Sequence, residues 1–423
     1  MYDYDGSVKE YIPRVVDHEI AEALTTSGAL VLQGARAVGK TESSRQVASS
    51  ELRLDGTDPR AVLAREQPAT SLAGEAPRLL DEWQFVPEIW NEVRHAVDDR
   101  GESGQFILSG SAIPDDGALR HSGAGRFRRV MMRTMTLFET GESNGHVSLR
   151  SLLNGEGIDV VESKTTFEEV VRRIVVGGWP GWRQVDEQTA MTRALSYVED
   201  ISEHDFVQLA GQRRDPRRFT AYLRAMASLV AQPAAYTAIT RRLEDSSNLR
   251  VGAAAVPDLH DFASRLYIAE DQPAWSPKLR SRTALLQTPK RHLADPSLAA
   301  ALLGASAERL LLELNTLGIF FESQVVHDLR VYAQTTKAQS VFHYRDSKGR
   351  DEIDIVVEDS DGSWIAVEVK LGAHAVEEAA NALHRVTAKI ERPPTAMVIV
   401  VPTGVAYQRP DGIHVVPLTV LGP

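Results

Sequence analysis

The chain has 423 residues, of which 43% are hydrophobic and 25% charged, with no cysteine and a formal net charge of −11. This length predicts two or three domains. The absence of cysteine excludes disulfides, thiolate zinc sites and cysteine nucleophiles, and the acidic balance excludes a whole-molecule basic field, so any nucleic-acid site must be a local patch.

No segment of the sequence is long and apolar enough to span a bilayer. Residues 1–5 are acidic and polar, unlike a signal peptide. We therefore expect a soluble cytoplasmic protein without a membrane partner.

A phosphate-binding loop is the first motif along the chain. Residues 34–41 match G-x-x-x-x-G-K-[ST] at every fixed position, between an apolar predicted strand over 29–32 and a predicted helix over 41–48. Backbone N–H groups of such a loop converge on one anion, and the helix amino terminus faces the phosphates. We expect Lys40 to reach the β- and γ-phosphates and Thr41 to offer its hydroxyl to Mg²⁺. The predicted nucleotide contacts here are Gly34, Ala35, Arg36, Ala37, Val38, Gly39, Lys40, Thr41 and Glu42.

A magnesium-binding carboxylate is predicted directly after the apolar residues 79–80. This is the Walker B arrangement, an apolar strand that ends in two acids. Asp81 would hold the water shell of Mg²⁺, and Glu82 would polarise the attacking water.

Two further polar positions belong to the same predicted site. The apolar stretch 106–108 leads into Ser109 and Ser111, where P-loop ATPases of the AAA type carry a sensor of the γ-phosphate. Ser109 is the predicted nucleotide contact, and a plain strand-to-loop turn is the alternative. Arg126 is a candidate arginine finger, which would stabilise charge on the transferred phosphoryl group. A solvated basic loop is the alternative for Arg126.

These motifs, in this order, resemble those of the prokaryotic AAA-superfamily ATPases that join a short N-terminal ATPase core to a C-terminal restriction-endonuclease-like domain of unknown function. The segments that carry the resemblance are 11–14, 33–41, 80–84, 106–111, 125–126 and the glycine-aromatic-proline element 177–180. The resemblance covers nearly the whole chain and implies an α/β fold class. It implies a P-loop AAA-type ATPase domain over 1–155, a helical linker with a winged-helix-like module over 156–303, and a restriction-endonuclease-like α/β domain over 304–423.

Helical spacing dominates the middle of the chain. Three- and four-residue apolar repeats predict helices over 191–208, 216–230 and, further on, 310–329, and the stretch 246–266 predicts helices followed by a short strand at 265–268. A winged-helix-like module can place a helix in a DNA groove or serve as a plain packing unit. Two basic clusters, 213–218 and 278–282, would contact phosphates in the first case and form solvated surface in the second.

The C-terminal part contains a second group of chemistry-bearing residues. Two predicted strands, 350–357 and 364–370, are joined by a polar turn that brings Asp354 beside Glu368 and Lys370. The last two side chains share one strand face because they are two residues apart. Burying carboxylates and an amine on one patch costs free energy of folding unless a bound partner compensates their charges. Mg²⁺ between the two acids, with the lysine near the attacking water, is the chemistry of metal-assisted phosphodiester cleavage.

This spacing resembles the PD-(D/E)xK nuclease superfamily. Those folds also carry an acid on a preceding helix, whose position Glu322 resembles, so the implied metal ligands are Glu322, Asp354 and Glu368. The alternative is a buried ion-pair network without catalysis, because fold does not imply function. Tyr344 and Arg345 are expected to line the same cleft or to form an exposed strand edge.

The sequence thus predicts an ATPase that takes ATP and Mg²⁺ and uses Lys40, Glu82 and Arg126 in hydrolysis. In the first hypothesis, nucleotide state is coupled to a nuclease-like domain that binds or cleaves nucleic acid; DNA is a candidate partner, and the choice between DNA and RNA is left open. In the second, the protein is a signalling or scaffold switch in defence or toxin regulation, and the same domain recognises a protein partner without cleavage. A homo-oligomer is expected if Arg126 completes the site of a neighbouring subunit.

Overall fold

The computed structural model describes residues 11–111, 123–207, 215–246, 252–278, 287–336, 338–346 and 348–423. The chain forms two compact units, one ending at Arg133 and the other beginning at Thr134. The division into three domains at 155 and 303 stays a prediction. Within the described ranges, no helix has both the length and the apolar character that a bilayer crossing needs.

The first unit is built on a five-stranded parallel sheet with the strand order β2-β3-β4-β1-β5. Its central strands are short apolar runs that are almost entirely buried, as expected for parallel strands covered on both faces. The strands are β1 (Ala29–Gln33), β2 (Ser50–Arg53), β3 (Arg78–Asp81), β4 (Phe106–Gly110) and β5 (Phe127–Met131). The α-helices are α1 (Val16–Thr26), α2 (Lys40–Arg45), α3 (Pro59–Glu66) and α4 (Ile89–Arg100).

Parallel pairing brings the carboxyl ends of β1, β3 and β4 to one edge of this sheet. Leu32 of β1 and Asp81 of β3 both pair with Ser109 of β4. Ligands of open parallel sheets bind beyond the carboxyl ends of the strands. The register therefore places the loop after β1 beside Asp81 and Ser109.

The second unit contains most of the helices. Thr166 caps α7 with a capping box, in which its hydroxyl accepts from the Glu169 N–H while the Glu169 carboxylate accepts from the Thr166 N–H. A π-helical turn, Ile201–Asp205, extends α8. The α-helices are α5 (Leu137–Thr140), α6 (Leu149–Leu153), α7 (Phe167–Val176), α8 (Glu187–Asp200), α9 (Pro216–Ala227), α10 (Tyr236–Ser246), α11 (Val256–Arg265), α12 (Pro296–Leu303), α13 (Ala307–Leu312), α14 (Leu314–Tyr332) and α15 (Val376–Thr387).

A mixed seven-stranded sheet organises the C-terminal part of this unit, in the order β7-β12-β13-β11-β10-β9-β8. Strands β8, β9 and β10 form an antiparallel meander, and β11 and β13 continue in parallel with β10. Strands β6 and β14 form a separate pair. The strands are β6 (Val147–Ser148), β7 (Val161–Glu162), β8 (Ala338–Arg345), β9 (Glu352–Asp359), β10 (Trp364–Val369), β11 (Ala396–Val401), β12 (Val405–Gln408), β13 (His414–Pro417) and β14 (Leu421–Gly422).

The glycine-aromatic-proline element forms a tight junction inside the second unit. The Gly178 N–H donates to the Asp295 carboxylate at 3.0 Å, and the Trp179 indole donates to the Ser297 hydroxyl at 3.1 Å. A Cβ at position 178 would collide with the carbonyl oxygen of Met135. Only glycine fits there, and the element holds the amino terminus of α12.

The helix predicted over 310–329 is two helices in the structure. Glu313 leaves helical geometry at φ −120° and ψ 66°, so α13 ends and α14 begins there. In the stretch 246–266, α10 ends at Ser246 and α11 begins at Val256 with a proline in its first turn, and residues 247–251 lie outside the described residues.

Two extended segments after α11 are joined by isolated bridges, Ala269 with Leu293 and Gln272 with Lys290. The second segment also bridges to residues that follow α9, Val230 and Pro233. The winged-helix-like assignment of these helices and segments stays a prediction.

Candidate functional site

The P-loop (residues 34–41) bends through conformations that suit it to phosphate. Gly34, Ala37 and Gly39 all have positive φ, at 149°, 64° and 104°. A Cβ at Gly34 would collide with the carbonyl oxygen of Met132, so the loop depends on glycine there. Ala37 tolerates the left-handed region at a cost of roughly 1 kcal/mol.

Lys40 is held inside the loop by the loop's own carbonyls. Its ammonium donates to the carbonyl oxygens of Gly34 at 2.9 Å and Ala35 at 2.8 Å, and the residue is only 6% exposed. The cation is therefore positioned over the loop before any anion arrives.

A hydroxyl-carboxylate set lies at the carboxyl edge of the sheet. The Thr41 hydroxyl lies 3.1 Å from each carboxylate oxygen of Asp81, and the Ser109 hydroxyl donates to the same carboxylate. Oxygen donors of this kind suit Mg²⁺. The fold thus brings together Thr41, Asp81 and Ser109, as the sequence predicts.

Glu82 combines a strained backbone with a partly buried carboxyl. Its backbone adopts the left-handed conformation, at φ 55° and ψ 45°. Non-glycine residues with such strained backbones cluster at functional sites in proteins. Burial raises the pKa of Glu82, and the hydrogen bond from the Gln84 side-chain amide opposes that rise. The same amide lies 3.5 Å from the Ser111 hydroxyl. Glu82 is therefore held next to Asp81 in a shielded position.

Two residues before α1 hold the P-loop and its helix, a role that their sequence pattern does not reveal. The Arg14 guanidinium donates to the carbonyls of Val38 and Arg133, both at 2.8 Å. The Tyr11 hydroxyl lies 2.8 Å from the Ser43 hydroxyl on α2. In the sequence, only the family resemblance of the segment 11–14 draws attention to these residues, and it does not predict which groups they contact.

The remaining predicted nucleotide contacts differ in exposure. Arg36 and Ala37 are exposed, whereas Ala35 and Val38 are buried at 3% and 1%. The Glu42 carboxylate is exposed and pairs with Arg45 at 2.8 Å. The buried members shape the loop, and the exposed ones border its open side.

Arg126 lies at the opposite edge of the sheet from the P-loop. It immediately precedes β5, and its carbonyl accepts from the N–H of Ala29, the first residue of β1. The P-loop follows the other end of β1, about 16 Å away for five residues of strand. The guanidinium pairs with the exposed Asp98 at 2.6 Å. This placement separates Arg126 from the P-loop of its own subunit, so the solvated basic loop and a finger supplied in trans are the two interpretations that stay predictions.

The second candidate site lies in the C-terminal unit. Glu322 projects from α14, Asp354 from β9 and Glu368 from β10, and Lys370 directly follows β10. We call the three acids the carboxylate cluster. The Lys370 ammonium lies 2.9 Å from Glu368 and 3.9 Å from Asp354. The structure therefore brings together all four residues that the sequence predicts.

Lys290 joins this group, and the sequence analysis missed it. Its ammonium lies 2.5 Å from a Glu322 carboxylate oxygen and 3.6 Å from Asp354 Oδ1, with 8% of the side chain exposed. No signal near position 290 predicts this contact, because the partners are 32 and 64 residues away.

The electrostatics of this group are those of a compensated buried network. Burial and the neighbouring Asp354 raise the pKa of Glu368 to about 8. Burial raises the pKa of Glu322 to about 7, against the pull of Lys290. For Asp354 the two lysines outweigh burial and lower the pKa. The carboxylates likewise outweigh burial for Lys290 and raise its pKa.

The arrangement does not fit a bound metal as it stands. Across the described ranges, no three His, Asp or Glu side chains are grouped so that they would hold a metal ion. Between Glu322 and Asp354 an ammonium group takes up the acceptor oxygens that a metal would need. Asp354 Oδ2 also accepts the backbone N–H of Val369 at 3.0 Å.

The other candidate nucleic-acid contacts are peripheral. Arg345 pairs with Glu352 at 2.7 Å on the edge strand β8, with 43% of its side chain exposed. The Tyr344 ring packs edge-on against Trp275. Arg217 pairs with the capping residue Asp215. Residues 213–214 and 279–282 of the two basic clusters lie outside the described residues.

Three family profiles match separate parts of the chain. An "AAA domain" profile matches residues 26–141, and two profiles described as domains of unknown function, DUF8612 and DUF4143, match residues 167–309 and 317–421. Two curated relatives, uncharacterized proteins from Mycobacterium bovis and Mycobacterium tuberculosis, are each 31% identical over 128 residues. The matched region is 29% of this chain, and it spans 29% of the length of each relative.

Two solved structures are similar to this chain at low scores. The Walker-type ATPase PABY2304 of Pyrococcus abyssi is 16% identical with a TM-score of 0.41, covering 68% of this chain and 94% of that one. The ORC1 protein of Aeropyrum pernix, solved in complex with DNA, is 14% identical with a TM-score of 0.26, covering 73% and 97%. The profile match, the P-loop geometry and the parallel sheet support a P-loop ATPase core within residues 26–141.

Proposed function

We propose that the protein hydrolyses ATP at the carboxyl edge of the five-stranded sheet. The observation that carries this proposal is the shared hydrogen bonding of Thr41, Asp81 and Ser109 directly beside the P-loop. Thr41 and Asp81 would hold Mg²⁺, which supplies charge neutralisation on the β- and γ-phosphates.

The protein's own groups have distinct roles in this proposal. The Lys40 ammonium exchanges its bonds to the loop carbonyls for phosphate oxygens, so the loop changes little when nucleotide binds. Glu82 accepts the proton of the attacking water, and its shielded position keeps competing solvent away. Ser109 lies beside the Asp81 carboxylate and senses the state of the site.

We propose further that nucleotide state controls recognition by the second unit and that this unit does not cleave its partner. The carboxylate cluster, already paired with two lysines, favours this second hypothesis over phosphodiester hydrolysis. DNA and protein partners remain the two classes to be distinguished.

The test is ATP turnover by the purified wild type, with and without single- and double-stranded DNA, beside Lys40→Ala. We expect turnover that Lys40→Ala abolishes. DNA stimulation that persists in Lys370→Ala would identify DNA as the recognised partner, and turnover indifferent to DNA would favour a protein partner. Cleavage of DNA with Mg²⁺ or Mn²⁺, lost in Lys370→Ala, would contradict recognition without cutting.

A further inference from the structure

The carboxylate cluster contains a cation that belongs to the chain itself. Lys290 lies between Glu322 and Asp354, at 2.5 and 3.6 Å, and is 6% exposed. Its ammonium also lies 3.5 Å from the backbone carbonyl of Asp354. An ammonium that faces two carboxylates and a carbonyl has the oxygen partners that a hard metal ion would have.

The backbone of Lys290 is held in place by hydrogen bonds. Its ammonium therefore differs from that of a surface lysine, whose side chain can turn inward or outward. Its N–H donates to the Gln272 carbonyl at 3.1 Å, and its carbonyl accepts from the Gln272 N–H at 2.9 Å. The Gln272 side chain, fully buried, donates to the carbonyls of Phe342 and Asp354 at 2.8 and 3.2 Å. The segment that carries Lys290 is thereby tied to the strand that carries Asp354.

Formal charge leads to the same conclusion. With all three carboxyl groups ionised, three carboxylates face two ammonium groups, which leaves one negative charge, and protonation of any of the acids makes the group less negative still. A divalent ion would turn this into one positive charge inside a buried site, which is costly. With Lys290 removed, the same ion would make the group neutral.

We propose that the Lys290 ammonium takes the place of a divalent metal in the carboxylate cluster, so that the site is complete without a metal ion. This deepens the proposal that the second unit recognises without cutting. In this proposal the ion pairs of the cluster are structural, and they connect the Lys290 segment to α14 and to the seven-stranded sheet.

The experiment is calorimetric titration of the full chain with MnCl₂ in the absence of nucleotide. Wild type and Asp354→Asn should take up the same amount of Mn²⁺, because the cluster binds none. Lys290→Ala should gain one site, at least about tenfold tighter than any wild-type binding there, since removing a nearby unit charge strongly favours a cation. Asp354→Asn in that background should abolish the gained site.

The matched control is Lys389→Ala. Lys389 pairs with Asp351 at 2.5 Å in the same unit but outside the cluster, and its loss should create no Mn²⁺ site. If Lys290→Ala does not fold, Lys290→Gln removes the same positive charge with a side chain of similar size, keeps all three acids, and should still gain the site. Mn²⁺ uptake by wild type that Asp354→Asn abolishes would overturn the inference, as would a folded Lys290 variant that gains no site. Mn²⁺ uptake at the cluster without DNA cleavage would overturn this inference alone, and DNA cleavage lost in Lys370→Ala would overturn recognition without cutting, so the two failures are distinguishable.

Discussion

The guanidinium of Arg14 donates a 2.8 Å hydrogen bond to the carbonyl oxygen of Val38 in the middle of the P-loop. Both residues are buried, at 7% and 1% exposure. The loop conformation is therefore supported from outside the loop, by a residue 24 positions earlier in the chain.

Arg14→Ala should weaken ATP binding about tenfold, because the buried hydrogen bond from this charged donor to the Val38 carbonyl contributes about 1.5 kcal/mol. Titration with a fluorescent ATP analogue measures this. The matched control is Arg65→Ala, because Arg65 also donates to two carbonyls, of Leu54 and Gly56, away from the P-loop. Equal losses of affinity in the two variants would contradict a specific role for Arg14.

Glu82→Gln should bind ATP and lose turnover by about 10²–10⁴-fold, because general-base catalysis contributes on that order. Steady-state phosphate release and nucleotide binding are measured in parallel. The exposed Glu66→Gln serves as the control. Normal turnover in Glu82→Gln would show that another group accepts the proton.

Arg126→Ala should leave the turnover of a monomer unchanged, because Arg126 lies at the far edge of the sheet from the P-loop. In an oligomer that supplies the finger in trans, the same variant should lose turnover. Light scattering during the assay defines which form is active. A verified monomer with reduced turnover would rule out our placement of this residue relative to the site.

Gly178→Ala should destabilise the second unit by about 3 kcal/mol or more, the range of severe steric changes in a core. The added Cβ would collide with the Met135 carbonyl. Gly181→Ala is the matched control, because a Cβ there meets no atom within 4 Å, and its effect should stay within about 0.5 kcal/mol. Urea unfolding measures both, and similar midpoints would refute the packing argument.

His343 should make the protein less stable as the pH falls from 6.5 to 4. Burial, followed by the nearby Lys290 charge, lowers the pKa of His343 to about 4, so over this window the unfolded chain binds the proton and the folded chain does not. The free energy of unfolding should fall by up to about 3 kcal/mol and be unaffected by this group above pH 6.5. His343→Gln should have a flatter pH dependence than wild type, and the exposed His374→Gln should not. If the free energy of unfolding had the same pH dependence in wild type and both variants, the lowered pKa of His343 would be contradicted.

The nucleotide site was largely predictable from local pattern. The P-loop residues are contiguous, and Asp81 and Ser109 each follow an apolar strand, so parallel pairing alone brings them to one edge. Asp354, Glu368 and Lys370 were predictable for a similar reason, since an antiparallel pair and a two-residue period set their separation.

Sequence pattern by itself determined which residues are the candidates for chemistry: the P-loop, the acids at the end of β3, and the acids and lysine of the nuclease-like spacing. Tertiary structure alone decided how Lys290 pairs with the carboxylate cluster, how Arg14 supports the loop, and that Arg126 stands at the wrong edge for its own subunit. The physical reason is that strand order and the docking of distant segments depend on packing throughout the unit. Local spacing reports only which face of one element a side chain occupies.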